Sequence, residues 1–79
     1  MSLTPEACRA GRALVGWSMR DLAEHAGVSL GAVNRLEGGD TASRGGTAAK
    51  IIAALEAKGV EIVSAEDRTG AVLIYARRR

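Results

Sequence analysis

The chain has 79 residues, enough for one compact domain and too few for two. Its hydrophobic share is 47%, yet with ten glycines, no Phe, one Trp and one Tyr the apolar side chains are mostly small. Helices built from them can pack closely but bury little area each, so a partner copy would help stability. The formal charge of +2 is only mildly basic and decides little by itself. Cys8 is the sole cysteine, which excludes an intrachain disulfide and a thiolate metal cluster. No apolar run approaches the ~18 residues of a membrane span, and no signal-peptide pattern opens the chain, so the cytoplasm is the expected compartment.

Thr4-Pro5-Glu6 reads as a helix start: a capping hydroxyl, a proline at the first helical position and an acid at the positive end of the dipole. Ala7, Cys8, Gly11, Leu14 and Val15 then recur at spacings of three and four, an apolar stripe that Gly16 ends. Ser18 with Asp21 resembles a capping box for a second helix, which buries Leu22, Ala23 and Ala26 and stops at Gly27. Ser29 caps a third helix with Val33 and Leu36 inward, terminated by Gly38-Gly39-Asp40. After a polar loop over residues 40–46, Thr47 is the expected cap of a fourth helix burying Ala48, Ile51, Ile52 and Leu55. Beyond Gly59 the apolar period changes to two. Val60 and Ile62, then Val72 and Ile74, flank turn chemistry from Ala65 to Gly70 and predict a β-hairpin with rather apolar faces. The expected organisation is a helical bundle over 1–59, a hairpin over 60–76 packed on the same domain, and a basic tail, Arg77-Arg78-Arg79.

The strongest functional signal is the pair of short helices joined by Gly27-Val28-Ser29. A helix-turn-helix needs a small residue where the helices touch, a glycine where the turn requires positive φ, and apolar residues that lock the second helix. Ala23, Gly27, Val33 and Leu36 meet these needs at matching spacing. The second helix of such a pair can lie in the major groove of DNA.

The run Gly16-Trp17-Ser18-Met19-Arg20-Asp21-Leu22-Ala23-Glu24-His25-Ala26-Gly27-Val28-Ser29, continuing to Val33-Asn34-Arg35-Leu36-Glu37-Gly38-Gly39, resembles the Xre-type, lambda-repressor-like helix-turn-helix domain. The resemblance extends from about Pro5 to Leu55, and the terminal hairpin is similar to that of some small bacterial members. It implies a mainly α fold: a lambda-repressor-like domain of four helices with a C-terminal β-hairpin. It also implies a duplex-DNA-binding transcriptional regulator, with repression and homodimerisation expected and the hairpin as the dimer contact. Arg12 and Glu37 stand where the family pairs its first helix with the end of its third.

Carried over residue by residue, base contacts would fall to Leu30, Gly31, Asn34 and Arg35. Phosphate contacts would fall to Ser18, Met19, Arg20 and Ser29, with Thr41, Ser43, Arg44 and Thr47 from the loop and the following helix start. The chain departs from the family pattern at Met19, often Gln, and at Leu30 and Gly31, often polar or long. Neither Leu30 nor Gly31 can make a bidentate side-chain bond to a base, so polar readout concentrates on Asn34 and Arg35. That departure supports an alternative, a protein-interaction module or antitoxin-like accessory protein with weakened base reading. Trp17 is expected as a core plug, His25 as a solvated helix position and Cys8 as a small core residue. No nucleophile–base pair, paired carboxylates or metal-ligand spacing stands out, so no catalytic residue, metal or cofactor is expected.

Overall fold

The computed structural model describes residues 3–40 and 46–77. Four α-helices, α1 (Pro5–Val15), α2 (Met19–Ala26), α3 (Leu30–Glu37) and α4 (Thr47–Glu56), precede a hairpin of β1 (Val60–Ala65) and β2 (Arg68–Leu73) and a short 3₁₀ turn, Tyr75–Arg77. The fold is mainly helical, with a closing antiparallel hairpin.

Local chemistry sets the helix boundaries. The Thr4 hydroxyl accepts from the Ala7 amide with Pro5 in the first turn, and Gly16 ends α1 in the left-handed region at φ 71°. Ser18 and Asp21 form a reciprocal capping box at the start of α2. The fourth helix departs from expectation. Its N-cap is Gly46, with φ 72° and no side chain to cap with, and Thr47 is its first residue. A left-handed glycine turns the chain into this helix, one residue before the hydroxyl expected to do so.

The core is formed by Ala7, Cys8, Leu22, Ala23, Val33, Leu36, Ile51 and Leu55 from the helices, Val60 and Ile62 from β1, and Leu3 ahead of α1. Trp17, Met19, Val28, Ala48, Ile52 and Leu73 pack against it half-buried. Leu14, expected on the buried stripe, is instead 39% exposed, because α1 turns its Ala7–Cys8–Gly11 side to the core. Gly11 sits where α1 meets α4. A Cβ there would come within 2.8 Å of Leu55 Cδ1, so the absent side chain permits the approach of the two helices.

The hairpin pairs Val60 with Leu73, Ile62 with Ala71 and Ala65 with Arg68, so Glu66-Asp67 alone make the turn. Its Val60–Ile62–Ala71–Leu73 face packs on the helices, chiefly α1. The hydroxyls of Thr4 and Thr69 hydrogen-bond to each other across that contact. Val72, on the other face, is 47% exposed.

Candidate nucleic-acid interface

Helices α2 and α3 meet through a short turn whose geometry is built from its residues. Gly27 adopts φ 71° as the C-cap of α2, and the following Val28 amide donates to the Ala23 carbonyl at 3.0 Å. The Ser29 hydroxyl then accepts from the Ala32 amide at 3.0 Å and starts α3. Leu22, Ala23, Val33 and Leu36 are buried between the elements, so the inward faces of both helices are fixed by packing.

The far end of α3 is gripped by α1. Arg12 Nε donates to Glu37 Oε2 at 2.7 Å and Arg12 Nη2 to Oε1 at 2.8 Å, a side-on bidentate pair. The remaining Arg12 nitrogen, Nη1, donates to the Trp17 carbonyl at 3.0 Å. One guanidinium therefore joins α1, the α1–α2 connection and the end of α3. Glu37 is buried, its side chain 6% exposed against 20% for Arg12. The bond to Glu37 raises the Arg12 pKa, keeping the guanidinium charged despite its partial burial.

Two members of this node are not evident from the family pattern. Arg9 Nη1 donates to the Glu37 backbone carbonyl at 2.6 Å, satisfying an acceptor at the C-terminal end of α3. The Cys8 thiol donates to Glu37 Oε2 at 3.2 Å. Cys8 is in the core, as its place on the stripe suggested, but it also completes the hydrogen bonding of a buried carboxylate. Burial first, then that bond, push its pKa from 9.0 to about 12. The available signal was spacing, since Cys8 and Arg9 lie four and three residues before Arg12 and share its side of the helix.

Against this fixed inner side, the outer side of α3 is free. Leu30, Gly31, Asn34 and Arg35 all face solvent, with Leu30 37% exposed. The first turn of α3 contains no acid. At the start of α2, Arg20 is exposed, whereas Met19 is half-buried and packs against the core. Ser18 is occupied by the capping box, its hydroxyl accepting from Asp21 and its amide donating to the Asp21 carboxylate. The bond from the Ser18 amide first, then the Ser18 side chain, holds the Asp21 carboxyl below its ordinary pKa. Thr47 lies at the first position of α4. Thr41, Ser43 and Arg44 lie outside the described residues, as do Arg78 and Arg79 of the tail.

Trp17 packs half-buried against the core, as expected of a plug, and His25 is exposed as expected, but the two also contact each other. Their rings stack at 4.1 Å between centroids and 9° between planes, so the half-buried indole lies against one face of an imidazole that stays exposed.

Two short packed helices, a left-handed glycine turn and an outward α3 face define a helix-turn-helix domain. A family model described as helix-turn-helix matches residues 9–62, more than half of the chain, and the protein belongs to the Xre-type, lambda-repressor-like helix-turn-helix family. That family is one of DNA-binding regulators and not of enzymes, which supports the same role for this chain. A comparison with curated proteins finds no significant match. Among the described residues, no helix is long and apolar enough to cross a membrane, and no group of three or more His, Cys, Asp and Glu could hold a metal ion.

Proposed function

We propose that the protein is a cytoplasmic transcriptional repressor that binds duplex DNA as a homodimer and reads the major groove with α3. The observation that carries this reading is the division of α3 into two sides. Val33, Leu36 and Glu37 are locked inward, while Leu30, Gly31, Asn34 and Arg35 face solvent together. On this reading Asn34 suits adenine and Arg35 suits guanine, Leu30 can touch a thymine methyl, and Gly31 admits close approach of the backbone. Arg20, the Ser18 and Ser29 hydroxyls, the Met19 amide and Thr47 at the α4 start supply phosphate contacts that set the register.

Dimerisation through the hairpin is supported by its outward apolar residues. Val72 is 47% exposed, and Tyr75 just beyond it is 78% exposed. A two-fold dimer would present two α3 helices to a pseudo-palindromic operator and compensate for the limited specificity of one short helix. Sedimentation equilibrium tests this part, and a monomer at high concentration would refute it.

Fluorescence anisotropy on genomic and random duplexes at two salt concentrations tests DNA binding itself. Affinity should fall steeply as salt rises, and Arg35→Ala should weaken it. Exposed Leu30 beside Gly31 favours one rival, a protein-interaction or antitoxin-like module that kept the fold. Absence of salt-sensitive binding to any duplex would select that rival.

A further inference from the structure

We propose that Gly31 and Arg35 act as one specificity-determining unit, in which a residue with nothing beyond Cβ at position 31 leaves room for the Arg35 guanidinium to lie at the start of α3 and read a single guanine in each half-site. The inference rests on the DNA-binding reading above and extends it to a residue pair and a base.

The two residues are one turn apart on the exposed side of α3. A Cβ built on Gly31 would lie 3.4 Å from Arg35 Nη1 and 4.0 Å from Ser29 Oγ. The guanidinium therefore folds back toward the helix start and lies beside the place a Cβ at residue 31 would take, where any bulk beyond Cβ would meet it. This direction follows the general tilt of helical side chains toward the N-terminus. Four residues of helix rise ~6 Å, so the charge of a residue near the end of α3 is carried to the end that approaches base edges.

Two features make the seated guanidinium a reader. It is planar and presents paired donors, which match O6 and N7 of guanine, whereas neither Leu30 nor Gly31 offers a donor from its side chain. It also lies near the positive end of the α3 dipole, in a first turn with no acid to neutralise it. No acid of that first turn competes for it, so its donors stay available to an incoming acceptor. The glycine that removes one reading side chain thus positions another.

The test is selection from a random duplex library, followed by anisotropy on duplexes altered at each selected position. The wild type should prefer guanine at one position of each half-site by roughly tenfold or more. Arg35→Ala should abolish that preference and leave those at other positions. Gly31→Val places branched bulk in the seat and should abolish the same preference, and the double variant should lose nothing further. Gly31→Ala needs only a few tenths of an ångström of movement from a flexible side chain and should retain it. Both positions are exposed, and circular dichroism melts will show that the variants fold. Retention of the guanine preference by Gly31→Val or by Arg35→Ala would overturn the inference while leaving DNA binding intact. If the wild type binds no duplex even at low salt, the DNA-binding reading fails, and the inference fails with it.

Discussion

Glu37→Gln is the perturbation that tests the framework most directly. It preserves shape and removes one charge, leaving Arg12 partly buried opposite a neutral amide. In the native protein the carboxylate accepts Arg12 Nε at 2.7 Å, Arg12 Nη2 at 2.8 Å and the Cys8 thiol at 3.2 Å. Breaking one partner of a fully buried pair costs about 3–5 kcal/mol. The Arg12 side chain keeps 20% exposure, so water softens the loss, and about 2–4 kcal/mol is the working figure. A domain of this size is stable by roughly 4–12 kcal/mol, and each kcal/mol moves its midpoint by about 4–8 °C. The expected fall in Tm is therefore roughly 8–32 °C, followed by far-ultraviolet circular dichroism with urea denaturation as a check. Replacing both partners, Arg12→Met with Glu37→Met, should cost less than the summed singles, because neither leaves an orphaned charge. A Glu37→Gln midpoint within about 3 °C of wild type, against the roughly 8–32 °C expected, would refute the claim that this node holds α3 in place.

Gly11→Ala should destabilise by about 1–3 kcal/mol despite the better helix propensity of alanine, since the new methyl meets Leu55 at 2.8 Å in a filled core; a denaturant midpoint at or above wild type would contradict this. Gly27→Ala should cost about 1–2 kcal/mol in the same assay, because φ 71° is strained for any residue with a Cβ. Cys8 should make the protein weaker in alkali. Below pH 9 the thiol keeps its proton folded or unfolded, whereas between 9.0 and about 12 only the unfolded chain releases it. Stability should then fall by about 1.4 kcal/mol per pH unit relative to Cys8→Ser, and equal slopes for the two proteins would exclude the effect.

Much of the frame was legible because its determinants are local. The Ser18–Asp21 box, the Gly16 and Gly27 terminators and the Ser29 cap each need only residues within one turn of chain, and each stands in the structure where the sequence places it. Leu14 and Thr47 were misread for a different reason. Helical spacing places Leu14 beside the stripe, but which edge of a stripe is covered depends on the neighbouring elements, and α1 packs with Leu14 at the rim. Thr47 is a fit cap by composition, yet the preceding left-handed Gly46 supplies the turn first. Tertiary partners were the least legible. Nothing in the spacing of Trp17 and His25 says that their rings stack, or that Arg9 reaches the Glu37 carbonyl 28 residues away.

The surface of α3 follows from how its ends are secured. At its start the left-handed Gly27 and the Ser29 cap fix the entry angle using the chain itself. At its finish Arg9 and Arg12 reach across from α1, one to the backbone of Glu37 and the other to its carboxylate. Neither device draws on Leu30, Gly31, Asn34 or Arg35. Stability and recognition are thereby assigned to different residues of an eight-residue helix, so substitutions on the outer side should alter binding preference with little effect on folding. Substitutions at Glu37, Arg12 or Gly27 should do the reverse, lowering affinity for every duplex alike because they disturb the pose of the whole helix. Comparing base preference with overall affinity across the two sets separates contact from positioning, which a loss of binding alone would not.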